Sequence, residues 1–336
     1  GHVAWVENAR GVRNIRVASP PQYQARTLTA YSADDGQELG QLAFTPDGRT
    51  LLYVRGGAAN RQGEIPNPTS DPAGAEQAIW AVALEGGAPR KLADGSSPAI
   101  SPKGDRVAFL SRGQIWLTTL DPKAKPALAV KARGQASSLV WSPDGSLLAF
   151  TSARGDHSFI AVFDPEARTL RFLDPGLDRD GNPAWSPDGK RVAFIRMPPE
   201  GGVRAFGPRR SAQPWSIRVA EVASLEGRQV WRADPGDGSA FRFVVAANQL
   251  FWGAGDRLVF PWEKDGWTHL YSVPLAGGKA ILLTPGAFEV EHVTLAPDRR
   301  EVVFSSNQDD MDRRHLWRVP VVTARTRPPP TGTRHR

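Results

Sequence analysis

The segment Trp185-Ser186-Pro187-Asp188-Gly189, followed shortly by Val192-Ala193-Phe194-Ile195, decides the fold of this 336-residue chain. Proline presets φ at the first central turn position, aspartate can bond its own backbone, and glycine accepts positive φ, so the chain reverses tightly. The apolar run after the turn is typical of a strand that is buried on both faces. The segment therefore predicts a hairpin whose second strand needs a neighbouring sheet on each side.

The same unit recurs along the chain, at intervals of about 40 to 55 residues where consecutive copies are clear. Further copies of the turn begin at Phe44, Ile100, Trp141 and Leu295, and a degenerate copy with glycines in place of proline spans Leu250–Asp256. A third apolar strand follows each hairpin, and a weaker fourth strand follows several of them. Four short antiparallel strands in each repeat predict an all-β chain folded as a β-propeller, with one blade per repeat.

The third strand can be counted seven times, which predicts about seven four-stranded blades in a propeller domain of residues 1–322. The first repeat begins at its second strand, and the seventh ends after its third. Two interpretations stay open: a seven-bladed ring whose ends share a blade, and a truncated eight-bladed ring. Residues 323–336 hold three consecutive prolines and four arginines without an acidic residue, which predicts a disordered tail.

The composition supports this fold and excludes several kinds of site. The 33 glycines and 29 prolines are typical of many short strands joined by turns, and the 11 tryptophans and 14 phenylalanines favour pleated surfaces. Because cysteine is absent, disulfides, thiolate metal sites and a cysteine nucleophile are excluded. No apolar run of about 18 residues occurs, so we expect no membrane span, and residues 1–20 lack the layout of a secretory signal.

The net charge of +7 does not predict a nucleic-acid partner. Four of the arginines lie in the tail, at Arg325, Arg327, Arg334 and Arg336. In the remaining chain acidic and basic residues are interspersed, and no basic block alternates with aromatic residues.

Longer stretches resemble a known family. The run Trp262–Tyr271, followed by Leu283–Val290, resembles the N-terminal propeller of the dipeptidyl peptidase IV branch of the prolyl oligopeptidase family of serine peptidases. The segments Asp34–Leu39 and Asp312–Trp317 are similar to segments of bacterial members, and the Pro-Asp-Gly repeats resemble TolB-like propeller repeats. The resemblance extends over residues 3 to 320.

In that family an α/β-hydrolase domain follows the propeller and carries Ser, Asp and His, with the serine in a Gly-x-Ser-x-Gly turn. The nearest match here, Gly95-Ser96-Ser97-Pro98-Ala99, lacks the final glycine, and we interpret it as a turn between blades. The resemblance thus implies a serine peptidase as the parent protein. For this chain itself we expect no catalytic residue and no cofactor.

Candidate binding residues lie in the loops between second and third strands, which leave a propeller on one rim. Two of these loops are long, Arg55 to Glu76 and Arg196 to Gln213, and long loops on a rigid scaffold collect binding residues. The candidates are Arg55, Arg61, Glu64, Arg196, Arg204, Arg209 and Arg210. In the family such a rim would face the hydrolase domain or line substrate entry; the alternative is that these are solvated loop charges.

Other polar groups have structural interpretations. The family's adjacent acidic pair for the substrate amino terminus has no match, because no Glu-Glu occurs in the chain. The run Asn307–Arg314 lacks the spacing of a calcium loop and is interpreted as a salt-bridged loop. The six histidines do not predict a metal site, and His269 and His315 occupy equivalent repeat positions. Glu263 and Asp265 are interpreted as turn-stabilising, since Asp265-Gly266 is a hairpin signal.

Two functional hypotheses follow. The first is a non-catalytic propeller that covers an α/β-hydrolase domain absent from this chain and gates the access of short peptides to it. The second is a stand-alone TolB-like propeller that acts as a protein–protein interaction module. The oligomeric state stays open, and the resemblance alone favours a periplasmic or otherwise exported parent.

Overall fold

The computed structural model describes residues 1–60, 62–199, 214–236, 239 and 241–324. These residues contain 26 β-strands and no α-helix. The chain forms two compact units, one of Gly1–Leu148 with Phe163–Thr169 and the other of Ala149–Val162 with Leu170–Arg336. Most of the predicted disordered tail, residues 325–336, lies outside the described residues.

Three antiparallel sheets form most of the first unit, and neighbouring strands in each sheet are consecutive in sequence. Their strands are β1 (Val3–Ala9), β2 (Val12–Ala18) and β3 (Ala25–Thr27); β4 (Leu39–Phe44), β5 (Thr50–Arg55), β6 (Ala78–Ala83) and β7 (Arg90–Asp94); β8 (Ser96–Ile100), β9 (Val107–Ser111), β10 (Gln114–Thr118) and β11 (Ala127–Val130). Strand β12 (Gln135–Trp141) also lies in this unit.

The next three strands contain residues of both units: β13 (Leu148–Ala153), β14 (Ser158–Asp164) and β15 (Thr169–Leu173). The second unit continues with β16 (Arg179–Trp185), β17 (Arg191–Met197), β18 (Ser216–Glu221) and β19 (Gly227–Arg232); β20 (Phe251–Gly253), β21 (Arg257–Glu263), β22 (Thr268–Pro274) and β23 (Ile281–Leu282); β24 (Val290–Leu295), β25 (Glu301–Ser306) and β26 (His315–Pro320). The successive meanders confirm the predicted all-β propeller, while the number of blades stays a prediction.

The Pro-Asp-Gly turns close the hairpins between first and second strands as predicted. In four of them the glycine N–H donates to the carbonyl of the Thr or Ser before the proline, at 2.8 to 2.9 Å. The hydroxyl of this residue also donates to a turn aspartate, at 2.6 Å from Thr45 to Asp47 and at 2.5 Å from Ser186 to Asp188. This hydroxyl lowers the pKa of both aspartates, so each turn holds an ionised carboxylate.

A second repeated interaction joins neighbouring blades within each unit. An arginine on a fourth strand donates to a backbone carbonyl just beyond the third strand of the next blade: Arg26 to Leu84, Arg90 to Leu120 at 2.6 Å, and Arg228 to Leu275 at 2.7 Å. We call Arg26, Arg90 and Arg228 the bridging arginines. They share one register position, opposite Val17, Ala81 and Val219 of the third strands. Each therefore joins two sheets through a charge-assisted hydrogen bond.

One short segment differs from its prediction. Gly95–Ala99, interpreted from sequence as a turn between blades, contributes most of strand β8, and Ser96 pairs with Leu110 of β9. The register of this pairing shifts between Ser96 and Ala99. Such an irregularity accommodates Pro98, which has no N–H to donate to a ladder.

The last strand, β26, has a neighbour on one side only among the described residues. Its Leu316 is 57% exposed, whereas Ile79, Ile115 and Ile217 at the same repeat position are almost fully buried. Each of these three isoleucines pairs with a residue of a fourth strand: Ala93, Val130 and Trp231.

Replacing Arg299 with glycine should stabilise the chain. Arg299 stands where other turns have glycine, and its φ of 61° lies in the left-handed region, which costs an L-residue about 1 kcal/mol. We expect Arg299→Gly to raise the free energy of unfolding by about 1 kcal/mol in urea titrations. Arg299→Ala, which keeps the strained φ, should give no such gain; an equal gain for both variants would contradict the explanation.

Replacing a bridging arginine should destabilise the chain. Arg228→Met keeps the length of the side chain but leaves the Leu275 carbonyl without this donor, so we expect a loss of about 1–3 kcal/mol. Arg228 and Arg232 are both exposed and lie on the same strand, so Arg232→Met is the matched control and should change stability by less than about 0.5 kcal/mol. Similar urea midpoints for the two variants would refute the bridging role.

Candidate functional site

Two of the candidate arginines, Arg55 and Arg196, occupy the same repeat position. Each lies the same number of residues after its turn proline, Pro46 or Pro187. Each also comes directly after four buried residues of a second strand. A long loop begins next to each of them. In each of the two units the repeat thus places a guanidinium group near the end of a second strand, β5 or β17.

In the first unit Arg55 is held by an acidic and an aromatic partner. Its guanidinium forms an ion pair with Asp35 and lies 4.9 Å from the ring centroid of Tyr31. The Tyr31 hydroxyl is 2.7 Å from the hydroxyl of Tyr53, a fully buried side chain whose pKa is raised by burial. Asn14 fixes the Tyr31 backbone through two hydrogen bonds of 2.8 Å. These contacts therefore hold Arg55 in place at the end of strand β5.

Glu64 has a local role in the long loop after Arg55. Its backbone N–H donates to Asn60 Oδ1 at 3.0 Å, and its carboxylate accepts from Asn60 Nδ2 at 2.7 Å. The carboxylate thereby closes a turn within the loop.

In the second unit Arg196 lies in a network of two acids and two arginines, of which Asp180 is fully buried and the other three side chains are half-buried. Its Nε donates to Asp180 Oδ1 at 2.6 Å and its Nη2 to Oδ2 at 2.8 Å, a bidentate pair. The same Nη2 donates to the carbonyl of Asp174 at 2.5 Å, and Arg218 Nε donates to the Asp174 carboxylate. This network ties strands β16, β17 and β18 to the segment that enters the blade.

Burial sets the protonation of this network. Desolvation raises the pKa of Asp180 to about 6, although Arg196 favours the ionised form. Burial works to lower the pKa of Arg196, but the hydrogen bond to Asp180 and the negative charges of Asp180, Asp174 and Asp178 together outweigh burial, so the pKa is raised. Asp180 is therefore a group that changes its charge near neutral pH.

The structure describes three of the seven candidate residues and gives each its own local partners. Arg55 and Glu64 lie in the first unit and Arg196 in the second. The other four, Arg61, Arg204, Arg209 and Arg210, lie outside the described residues. A binding role for the seven stays a prediction.

A polar cluster in the second unit contains Glu263 and Asp265, which the sequence predicts to stabilise a turn, and His269, which the sequence explains by its repeat position. Glu263 is buried, and its carboxylate accepts from Arg242 Nε at 2.7 Å. His269 is fully buried, and its Nδ1 is 3.4 Å from Thr284 Oγ1 while its Nε2 is 4.0 Å from Asp265. Burial lowers the pKa of His269. In the sequence, this cluster is indicated by the polar residues that stand at strand positions within the run Trp262–Tyr271.

No group of three His, Asp or Glu side chains within the described part of the chain is arranged to hold a metal ion. In the same residues, no helix has the length and apolarity needed to cross a membrane.

Comparisons with known proteins found similarity to dipeptidyl peptidases and to a TolB homolog. Residues 209–333 match the family described as the dipeptidyl peptidase IV (DPP IV) N-terminal region. A probable dipeptidyl peptidase 4 of Emericella nidulans is 24% identical over 282 residues, which cover 65% of this chain and 35% of that protein. A TolB homolog of Chlorobium luteolum is 28% identical over 123 residues, 35% of this chain and 28% of that protein.

A solved structure extends the likeness to nearly the whole chain. The crystal structure of Porphyromonas gingivalis dipeptidyl peptidase 4 matches with a TM-score of 0.61 at 14% identity, over 97% of this chain and 51% of that chain. At this identity the match shows the fold. The chain spans about a third of the length of the curated relatives it matches. Together these findings confirm the resemblance to a dipeptidyl peptidase IV-like N-terminal propeller.

The network around Asp180 predicts a pH effect on stability. A group whose pKa is raised by folding contributes stability at low pH that is lost as the pH rises through the folded-state pKa, here about 6. Relative to Asp180→Asn, which cannot ionise, the parent chain should therefore lose stability as the pH rises from 3.8, the ordinary pKa of an aspartate, to about 6, the pKa of Asp180 in the folded chain. Urea unfolding of both proteins at half-unit pH steps measures this difference; a constant difference across the range would contradict a raised pKa.

Proposed function

We propose that this chain is the propeller domain of a serine peptidase of the prolyl oligopeptidase family, in the dipeptidyl peptidase IV branch. In this proposal the propeller has no catalytic residue of its own; it covers an α/β-hydrolase domain and limits access to short peptides. The observation that carries the proposal is the match of residues 209–333 to the dipeptidyl peptidase IV N-terminal region. The fold similarity to a dipeptidyl peptidase over nearly the whole chain supports it.

The rim geometry is compatible with a steric role. Buried strands and ion pairs hold Arg55 and Arg196 in place, so neither arginine needs to reorganise when a peptide or a second domain approaches. A rigid cover excludes folded proteins by their size, whereas an extended peptide of a few residues can pass. We also propose seven blades, because seven third strands recur in the sequence. The described strands form antiparallel meanders, joined at one place by a parallel pairing between Ser158 of β14 and Arg179 of β16.

The proposal predicts an activity pattern for the parent polypeptide. Reading the coding sequence beyond residue 320 should reveal a Gly-x-Ser-x-Gly segment followed by Asp and His within about 250 residues. The expressed parent should cleave a chromogenic short peptide at least tenfold faster than the same bond in a peptide of 40 residues. Removal of the propeller should reduce this preference, and a Ser→Ala nucleophile variant is the control for contaminating peptidases.

The alternative of a stand-alone interaction module is favoured by the match to the Chlorobium luteolum TolB homolog. The two hypotheses differ in what the coding sequence holds. A stop codon after residue 336 without a downstream hydrolase would refute the peptidase proposal and leave the interaction module in its place.

A further inference from the structure

Strand β1 lacks a partner that the other second strands have. It holds the second-strand position of its blade, because it pairs with β2 in the register that joins β5 to β6. Each of the six other second strands, such as β5 between β4 and β6, has a neighbour on both sides. Among the residues that the structure describes, β1 pairs with β2 alone. One edge of β1 is therefore open.

The same strand exposes residues that the repeat otherwise buries. Each second strand carries an aromatic residue at one position, and six of these side chains are at most 1% exposed: Tyr53, Phe109, Phe150, Phe194, Phe260 and Phe304. Their counterpart in β1 is Trp5, which is 37% exposed. Val3 is 52% exposed, whereas Leu51 at the same position of β5 is fully buried. Strand β1 therefore presents an open edge together with an exposed apolar face.

Little on β1 guards this edge. The segment Val3–Val6 contains no charged residue and no proline, and the pairing of β1 with β2 shows no bulge. Charges, prolines and bulges are the devices that usually keep a sheet edge from further pairing. The first charge along the strand, Glu7, is 3.1 Å from Arg16 of β2. The edge can therefore accept a further strand through main-chain hydrogen bonds, as open sheets accept extended peptides.

The first strands of the other blades show which segment fits such an edge. Four of them have a polar residue in the left-handed region, with φ of 51 to 56°, five positions before the turn proline: Gln41, Ser97, Ser138 and Asn182. The same strands carry a smaller and then a large apolar residue directly before the Thr/Ser-Pro of the turn: Ala43-Phe44, Ala99-Ile100, Val140-Trp141 and Ala184-Trp185. The large residue pairs with the position that corresponds to Val3, as Phe44 pairs with Leu51. We call this pattern the first-strand motif.

We propose that the open edge of β1 binds a segment with the first-strand motif, which completes the blade as its first strand. The segment runs antiparallel to β1, with its large apolar residue opposite Val3 and its smaller one opposite Ala4. The large side chain then lies on the same face as Val3 and Trp5, because residues opposite each other in a sheet project to one face.

The segment belongs to the parent polypeptide outside residues 1–336. The described first strands support this source, because each is joined to its second strand through a turn of the same chain. The binding does not depend on a hydrolase domain, so a failure of the peptidase proposal leaves it standing.

Binding can be measured with the full chain and a peptide copy of one first strand. The probe is acetyl-Gln-Ala-Ser-Ser-Leu-Val-Trp-Ser-Pro-amide, the sequence of residues 135–143, in isothermal titration calorimetry. We expect saturable binding of one peptide per chain. A control peptide with serine in place of Val and Trp loses the apolar contacts and should bind at least about tenfold more weakly. Equal binding of both peptides, or no binding of the probe, would count against the proposal.

A charge on β1 should block the peptide. Val3→Asp places a carboxylate opposite the large apolar residue of the probe, and we expect it to weaken binding at least about tenfold. Leu128→Asp is the matched control, because Leu128 is also an exposed apolar strand residue of the first unit, and it should leave binding unchanged. Unchanged binding in a folded Val3→Asp variant, or an equal loss in both variants, would contradict binding at β1.

A covalent version of the segment tests the same edge without relying on peptide affinity. The sequence of residues 135–145 is placed before Gly1, so that Val3 follows a turn proline by five residues, as Leu148 follows Pro143. This extension should slow hydrogen–deuterium exchange of the β1 amides at least about tenfold and raise the midpoint of thermal unfolding. The same extension with serine in place of Val and Trp is the control. Equal exchange of β1 in the extended and unextended chains would overturn the proposal.

Two further measurements test the source of the segment. In sedimentation of the unextended chain, a dimer that Val3→Asp dissociates would assign the edge to a second copy and overturn the proposal. The coding sequence of the parent should hold a further first-strand motif outside residues 1–336. Absence of such a motif would refute the proposed source.

Discussion

The hydrogen bonds inside the Thr/Ser-Pro-Asp-Gly turn set the register of each blade that has one. The strands after these turns, such as Leu51–Val54, are continuous apolar runs, so side-chain polarity alone cannot tell one face from the other. A slip by one residue would turn every side chain to the opposite face. The closed turn prevents this slip, since hydroxyl, carboxylate and glycine N–H can bond together only in one arrangement. The third and fourth strands then pair at equivalent register positions in each of these blades.

These equivalent register positions also explain why the contacts between neighbouring blades repeat. An arginine at one position of a fourth strand reaches a carbonyl at one position of the next blade, and this geometry recurs in both units. A buried carbonyl without a hydrogen-bond donor is costly. A charged donor at this place therefore joins the two sheets and gives the carbonyl its partner. The rim arginines follow the same logic, because Arg55 and Arg196 are presented by equivalent strand ends and differ in their acidic partners.

The sequence allowed the repeated parts to be predicted and left most of the site open. Turn residues, apolar runs and the degenerate copy at Leu250–Asp256 follow local rules, and strands β20 and β21 pair across that copy. The partners of Arg196 could not be predicted, because Asp174 and Asp180 lie in the preceding connection and strand, and only folding brings them together. Gly95–Ala99 was misassigned because Ser, Pro and Gly usually mark turns, whereas pairing with β9 overrides that preference.

The one-sided pairing of β26 has a consequence for the isolated polypeptide. An uncovered strand edge presents free backbone donors and acceptors, and an exposed leucine beside it adds apolar surface, which together form a template for further strands. Natural sheets usually guard such an edge with charges or cover it. On β26 itself Arg318 and Pro320 supply a charge and a residue without an N–H, so the edge is guarded beyond Leu316 and most open to further pairing at Leu316 itself.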